Sequence, residues 1–252
     1  EAATGRRGAD PSARFKPDRS FVTATDAAIE RRLREVIAAR HPGHGIIGEE
    51  EAPSAAGASH VWVLDPVDGT AAFIAGVPVY STLIALCRDG RPVIGVMDFP
   101  AIGARWLGVA GAPTLLDGVA VRTRPCRAAG DAMLSTSNPD FYAAADLPAF
   151  ERLRAATAWR IYGTAALAYG RLAEGRIDIA IDAGLKIWDI APFVPVIEGA
   201  GGCITDWSGR PVTLESGPRI LAAGDPAMHR WALEQSAPLA GPTTDDRKEA
   251  QT

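Results

Sequence analysis

The hydrophobic pattern of the chain changes near residue 125, and this change restricts the fold more than any other feature. Before it, apolar runs such as "YSTLIALCRDGRPVIGVMDFP" flank short turn signals, of which Asp89-Gly90 is the strongest. Such a pattern predicts antiparallel hairpins. After it, short apolar runs alternate with helical stretches, which predicts a largely parallel sheet covered by helices. We therefore expect an α/β protein with an α+β N-terminal half and an α/β C-terminal half.

The same patterns set the predicted boundaries. Residues 1–125 contain one long predicted helix in "TDAAIERRLREVIAARHP", which Thr25 or Asp26 could cap. Residues 126–238 contain a helix in "WDIAPFVPVIEGAGG", which its glycines end. Residues 239–252 are polar without periodicity, which predicts a disordered tail.

Composition argues against several classes of protein. The 252 residues carry a net charge of -4 at pH 7, so no basic surface for nucleic acid is indicated. No run of about 18 apolar residues is present, which argues against a membrane-spanning helix. Cys87, Cys126 and Cys203 lack the spacing of metal ligands and predict reduced thiols. From composition we expect a cytoplasmic protein with no nucleic-acid or membrane partner.

The stretch "WVLDPVDGT" places two acids at the exit of a predicted strand. Asp65 and Asp68 are three positions apart around Pro66, so we expect their carboxylates to converge and to repel each other. A hard divalent cation such as Mg2+ neutralises oxygen-rich clusters of this kind. By itself, however, Asp-Pro-x-Asp-Gly is more typical of a solvated turn.

Two further acids could complete such a cluster. Glu49 follows a predicted strand in "GIIGEE", and Asp189 begins a helix in "WDIAP". The simpler interpretations are a solvated loop for the first and a helix N-cap for the second. Gly69 and Thr70 lie at a predicted helix start, where backbone N–H groups favour phosphate. If all these groups meet, they predict metal-assisted hydrolysis of a phosphomonoester.

These motifs occur together and in one order. The segments "FVTATD", "GEE", "WVLDPVDGT" and "WDIAP" resemble the signature set of the inositol monophosphatase family, and the resemblance extends over about residues 16–224. It implies a layered α/β/α/β/α sandwich. It also implies a Mg2+-dependent phosphatase, and it is compatible with a homodimer.

The resemblance implies a role for each acid. Glu49, Asp65 and the backbone carbonyl of Val67 would bind a first Mg2+. Asp65, Asp68 and Asp189 would bind a second, with two or three ions expected per active site.

The resemblance also implies which residues bind phosphate and direct the attack. The amides of Gly69 and Thr70 would hold the phosphate group. Asp26 and Thr70 would orient the attacking water, with Glu49 close by. A Thr70 hydroxyl that donates to Asp26 can accept from that water, which fixes the direction of attack.

Further segments of the sequence indicate which phosphate ester is the substrate. "STSNPDFY", "DAGLK" and "IEGAGGCITDWSGRPV" are similar to the histidinol-phosphate phosphatase branch, so histidinol phosphate, an intermediate of histidine biosynthesis, is the expected substrate. Asp68, Ala165, Asp182 and Asp189 would contact it. Ala165 is closer to the inositol-phosphatase pattern, and Asp182 stands where the family usually has Glu. Inositol 1-phosphate or another polyol, cyclitol or sugar phosphate therefore stays an alternative, as does a catalytically silent regulator that binds a phosphorylated metabolite.

Overall fold

The computed structural model describes residues 14–15 and 21–237. The predicted tail, residues 239–252, and most of the N-terminal segment lie outside the described residues. The α-helices are α1 (Ala24–Arg40), α2 (Thr70–Ala75), α3 (Leu147–Ala156), α4 (Leu167–Ala173), α5 (Ile187–Ile190), α6 (Phe193–Gly199) and α7 (Pro226–Ser236). The strands are β1 (Arg14–Phe15), β2 (Phe21–Val22), β3 (Gly45–Gly48), β4 (His60–Asp68), β5 (Ser81–Arg88), β6 (Arg91–Phe99), β7 (Ala104–Val109), β8 (Leu115–Leu116), β9 (Val119–Ala120), β10 (Met133–Thr136), β11 (Trp159–Tyr162), β12 (Ile179–Asp182), β13 (Cys203–Asp206) and β14 (Ile220–Ala223).

Two large sheets form the framework. The first has the strand order β3-β4-β5-β6-β7-β8-β9, in which β3 and β4 are parallel and the other neighbours are antiparallel. The hairpin predicted around Asp89-Gly90 is confirmed as β5 and β6. The turn needs residues that tolerate a positive φ, and Asp89 and Gly90 have φ of 50° and 79°.

The second sheet is mixed, whereas the sequence pattern predicted a largely parallel one. Its order is β11-β10-β12-β14-β13, with β10 parallel to both β11 and β12 and with β14 antiparallel to both β12 and β13. The four strands β10 to β13 run in one direction. Strand β14 follows β13 without an intervening crossover helix, so it can enter the sheet in the opposite direction. The division into two domains at residue 125 stays a prediction.

Helices separate and cover the two sheets. Helix α1 packs on β4, helices α4 and α6 lie between the sheets, and α3 and α7 cover the outer face of the second sheet. The largest apolar cluster lies between the sheets and includes Trp106, Tyr169 and Phe193. This arrangement confirms the expected α/β/α/β/α layering. None of the described helices combines the length and the apolar character that a bilayer crossing requires.

The first helix begins with a cap that the sequence analysis placed two or three residues too late. Thr23 is the N-cap, and its hydroxyl oxygen accepts hydrogen bonds from the amides of Thr25 and Asp26. The Asp26 carboxylate in return accepts from the Thr23 amide at 3.0 Å. Asp26 is therefore the third helical residue of a capping box, and it is fully buried.

The helix predicted in "WDIAPFVPVIEGAGG" is two helices, α5 and α6. The interruption lies at Pro192, which caps α6. A proline has no N–H to continue the hydrogen bonds of a preceding helix, so the chain starts a new helix there.

Candidate active site

The acids Asp65 and Asp68 lie at the end of β4, where the strand contains a bulge. Asp65 is opposite Leu83 and Asp68 is opposite Ser81, so three steps along β4 match two steps along β5. In a regular strand, residues three positions apart point to opposite faces, and one extra residue brings them to the same face. The predicted turn is thus a bulge within the strand, and it is the bulge that makes the two carboxylates converge.

Asp189 reaches the same point from α5, which packs on β4 and β5. One carboxylate oxygen from each of Asp65, Asp68 and Asp189, called here the acidic cluster, lies within 4.8 Å of the other two. Asp189 also accepts a hydrogen bond from the Lys186 amide at 2.7 Å. It therefore caps a helix and belongs to the cluster at the same time.

Burial and repulsion both oppose ionisation of the acidic cluster. Burial, followed by the charges of Glu49, Asp68 and Asp189, raises the pKa of Asp65 well above its ordinary value. Burial and then the charge of Asp68 raise the pKa of Asp189 to about 7. Burial also raises the pKa of Asp68 to about 6. The cluster therefore favours any species that brings positive charge to it.

The chemistry of the cluster fits a hard divalent cation. Oδ1 of Asp65 is buried and has no hydrogen-bond partner among the described residues. Buried polar atoms are nearly always paired, so a buried carboxylate oxygen without a protein donor in an acidic cluster fits coordination of a cation. Every group in the cluster offers carboxylate oxygen, which is the donor type that Mg2+ prefers.

Glu49 approaches the cluster from the end of β3. Its amide donates to the carbonyl of Leu64 in the neighbouring strand β4 at 3.1 Å. Its charge is one of the causes that raise the pKa values of Asp65, Asp68 and Asp189. The structure thus brings Glu49 to the acid groups with which the sequence analysis associated it.

Helix α2 begins directly after the bulge. Gly69 is its N-cap with a φ of 76°, a left-handed conformation that glycine adopts without steric penalty. The Thr70 hydroxyl oxygen lies 3.0 Å from the Val67 carbonyl oxygen and 3.4 Å from Oδ1 of Asp26. A hydroxyl has one proton and two lone pairs, so Thr70 can donate to one of these oxygens and still accept from a water molecule.

Ala165 lies beside this site. A Cβ atom placed on Gly69 would be 3.7 Å from the Cβ of Ala165. The amide of the next residue, Ala166, donates to Oδ2 of Asp68 at 3.1 Å. Ala165 has a φ of 47°, a conformation that carries strain for alanine. Its backbone is therefore fixed close to both the acidic cluster and the start of α2.

Asp182, which the resemblance associates with the substrate, is enclosed by protein donors, and its contact with substrate stays a prediction. The side chain is 1% exposed. Oδ1 accepts from the Thr136 hydroxyl at 2.9 Å and the Ser137 amide at 2.7 Å, and Oδ2 accepts from the Tyr169 hydroxyl at 2.7 Å. Burial raises its pKa to about 6 although these hydrogen bonds lower it. Both oxygens of Asp182 therefore accept hydrogen bonds from protein donors.

The sequence analysis missed Glu30. This residue is 0% exposed and lies one turn after Asp26 on the buried face of α1. Its carboxylate accepts hydrogen bonds from the amides of Glu50 at 2.7 Å and Glu51 at 3.1 Å. Its position in the helix could have indicated its burial. Asp26, Glu30 and Ile37 share one helical face, and an acid on a buried face needs hydrogen-bond partners.

Comparisons with known proteins agree with the geometry. The profile of the inositol monophosphatase family matches residues 6–239. The chain is 40% identical over 228 residues to the bifunctional phosphatase IMPL2, chloroplastic, of Arabidopsis thaliana, and the match covers 87% of this chain and 66% of that protein, just under two thirds of its length. It is 36% identical over 204 residues to a histidinol-phosphatase of Mycobacterium tuberculosis, covering 77% of each. A solved inositol monophosphatase from Zymomonas mobilis shares 37% identity with a TM-score of 0.79, covering 84% of this chain and 82% of that chain.

Proposed function

Since the chain belongs to the inositol monophosphatase family, we propose that it hydrolyses a small phosphate monoester with the help of Mg2+. The observation that carries this proposal is the convergence of the acidic cluster within 4.8 Å around a buried Asp65 oxygen without a partner. Carboxylates buried this closely are compatible with neutral pH only when protons or cations neutralise them.

We assign the metal-binding roles to the acids that meet at the end of β4. Glu49, Asp65 and the Val67 carbonyl would hold one Mg2+. Asp65, Asp68 and Asp189 would hold another. When bound, Mg2+ would neutralise these carboxylates and polarise both the phosphate ester and the attacking water.

The remaining steps are assigned to residues of α1 and α2. The amides of Gly69 and Thr70 would donate to the phosphate oxygens at the start of α2. Thr70, within reach of both Asp26 and the Val67 carbonyl, would accept a hydrogen bond from water and so direct its attack. Asp26 is buried and already accepts from the Thr23 amide, so it holds the Thr70 hydroxyl from a fixed position.

The substrate that we propose is histidinol phosphate. The similarity to a histidinol-phosphatase supports this choice, and an acidic pocket suits a cationic amino alcohol. Inositol 1-phosphate is the second candidate, supported by Ala165 beside Gly69 and by the similarity to a solved inositol monophosphatase. The cytoplasmic location and the homodimer stay predictions.

Phosphate release from purified protein tests the reaction class. We expect hydrolysis that requires Mg2+, stops with chelator, and falls by about 100-fold or more in Asp65→Asn. Asp225→Asn is a matched control, because Asp225 caps α7 by accepting from the Ala227 amide, and asparagine caps a helix equally well. Full activity of Asp65→Asn, or activity that chelator leaves unchanged, would contradict the proposal.

A substrate panel tests the specificity. We expect kcat/KM for histidinol phosphate to exceed that for inositol 1-phosphate by about tenfold or more. The opposite order would overturn the substrate and leave the reaction class intact. Calorimetric binding of either ester without turnover in Mg2+ would instead identify a silent regulator.

A further inference from the structure

We infer that Glu30 is a positioning residue. It fixes residues 49–51, called here the Glu49 segment, which carry Glu49 into the active site. The inference rests on the proposed function, because it takes Glu49 as a metal ligand. It goes beyond that function because Glu30 lies on α1, in a buried position behind the segment.

Three successive amides of this segment are held in place. The Glu49 amide donates to the Leu64 carbonyl at 3.1 Å, as part of the contact between β3 and β4. The Glu50 amide donates to Oε2 of Glu30 at 2.7 Å, and the Glu51 amide donates to Oε1 of Glu30 at 3.1 Å. Strand β4 thus fixes one end of the segment and a single carboxylate fixes the next two residues. Hydrogen bonds from amides to a carboxylate are directional, so the two bonds to Glu30 limit the movement of the backbone directly after Glu49.

Arg34 completes this arrangement. It lies one turn after Glu30, its side chain is 12% exposed, and its Nε and Nη2 both lie 2.8 Å from Oε1 of Glu30. Nη2 also donates to the Glu51 carbonyl at 2.9 Å. Arg34 therefore balances the buried charge of Glu30 and binds the same segment directly.

The energetics favour a role beyond stability. A buried ion pair adds little stability compared with apolar residues of similar volume, because both charges must leave water. Two apolar side chains could close this part of α1 against β3 equally well, but they could not hold two amides. The geometry of the bonds, rather than their net energy, is what Glu30 and Arg34 contribute.

Gly48 shows that the space is shaped for a carboxylate. A Cβ atom on Gly48 would lie 2.1 Å from Oε1 and 2.5 Å from Cδ of Glu30. Any larger residue at this position would displace the Glu30 carboxylate. The residue immediately before Glu49 is therefore the one that lets Glu30 approach the segment.

Helix α1 also links this support to the attack. Asp26 and Glu30 are one turn apart on the same buried face. Asp26 faces Thr70 on one side, and Glu30 binds the segment after Glu49 on the other. One capped helix thus fixes the water-orienting residues relative to a metal ligand, which is the kind of rigid support that a precise site requires.

The first test compares Glu30→Gln with Glu35→Gln on the same helix. Glutamine at position 30 keeps the shape of the side chain but replaces one carboxylate oxygen by an NH2 group. This NH2 group would face another donor, either a backbone amide or Arg34, and could not accept its hydrogen bond. Glu35 is a matched control, because it pairs with Arg32 at the surface, where the side chain of Glu35 is 56% exposed and that of Arg32 is 73% exposed. We expect the Mg2+ concentration at the midpoint of Mg2+-induced thermal stabilisation to rise by about tenfold in Glu30→Gln. In Glu35→Gln it should equal that of the wild type.

A double-mutant cycle with Glu49→Gln separates positioning from general destabilisation. If Glu30 acts through Glu49, Glu30→Gln should shift the Mg2+ midpoint little once Glu49 is replaced. Independent, additive shifts would overturn the inference, as would a folded Glu30→Gln protein that binds Mg2+ like the wild type. A wild type without any Mg2+ response would contradict the proposed function instead.

Hydrogen exchange in the wild type covers the case in which Glu30→Gln does not fold. The amides of Glu50 and Glu51 should exchange slowly in metal-free protein, since both are bonded to a buried carboxylate. Exchange at the rate of an open loop would overturn the inference.

Discussion

Removing the hydroxyl of Tyr169 should destabilise the protein in a way that grows with pH. This hydroxyl donates to Oδ2 of Asp182 at 2.7 Å, and Asp182 is 1% exposed, so water cannot readily replace the donor. Tyr169→Phe would leave one oxygen of a buried carboxylate unpaired. The loss of a hydrogen bond to a buried charged group corresponds to about 2 to 3 kcal/mol of unfolding free energy. For a domain of this size the midpoint of thermal unfolding should fall by about 4 to 12 °C.

The sign of the pH dependence follows from the pKa of Asp182, which burial raises to about 6 from the ordinary 3.8. A carboxyl group with a raised folded-state pKa contributes stability below its unfolded pKa and loses that contribution as the pH rises through the folded value. Tyr169 favours the ionised form, so its removal raises the pKa further. The destabilisation should therefore be smaller at about pH 5, where Asp182 is protonated, than at about pH 8.

Urea unfolding at both pH values, followed by circular dichroism, measures the effect. Tyr162→Phe is the matched control, because Tyr162 is 44% exposed, and its stability should stay within about 0.5 kcal/mol of the wild type. Equal destabilisation of Tyr169→Phe at both pH values would refute the role of an ionised Asp182. A stability change no larger than that of the control would refute the hydrogen-bond argument as a whole.

Three further predictions concern charge and water at defined positions. Asp189→Asn should raise the urea midpoint of metal-free protein at about pH 8, because it removes a charged carboxylate whose pKa is raised to about 7. It should also reduce the stabilisation that Mg2+ adds. A variant that is less stable than the wild type in chelator would contradict this prediction. Thr70→Val should lower kcat by about 100-fold with an unchanged Mg2+ midpoint in calorimetry, since in the proposed function its hydroxyl orients water and is not a metal ligand. An altered midpoint would assign Thr70 to the metal instead. Burial lowers the pKa of His229 below 6.5, so its contribution to stability is present above about pH 6.5 and is lost as the pH falls through the folded value. His229→Gln should flatten that loss in thermal unfolding, and an unchanged slope would exclude His229 as its source.

Local chemistry made several elements predictable. The hairpin at Asp89-Gly90 follows from turn residues that accept positive φ, and it is present as predicted. The long helix predicted in "TDAAIERRLREVIAARHP" is present as α1 (Ala24–Arg40). In both cases the determining interactions lie within a few residues of each other, so a pattern in the sequence contains them.

Long-range register was not predictable in the same way. The bulge that brings Asp65 and Asp68 to one face is defined by pairing with β5, in which their partners Leu83 and Ser81 are only two positions apart. Nothing in "WVLDPVDGT" distinguishes a bulge from a turn, because both tolerate Pro66 and both precede a glycine. The convergence of the two acids was expected, but its cause was visible only in the paired strands.

Buried acids were the least predictable feature, since an acid in a sequence looks exposed until its donors are known. Glu30 lies in a helix rich in arginine, and its partners Glu50 and Glu51 are 20 and 21 residues away. Asp182 ends a strand and finds donors on Thr136 and Tyr169, which belong to other elements. Both acids are buried and paired at both oxygens, and no local pattern of the sequence indicates these partners.

The contrast among the buried acids supports the proposed metal site on physical grounds. Asp26, Glu30 and Asp182 are enclosed, and protein donors reach both oxygens of each. Within the described residues, Oδ1 of Asp65 is the one buried side-chain oxygen without a partner. Donors are present nearby, because the Ser81 hydroxyl and the Ala166 amide donate to the adjacent Asp68. A shortage of protein donors therefore does not explain why this oxygen is unpaired. Under the proposed function, the unpaired oxygen would face a cation, and the fully paired acids would hold the surrounding elements in place.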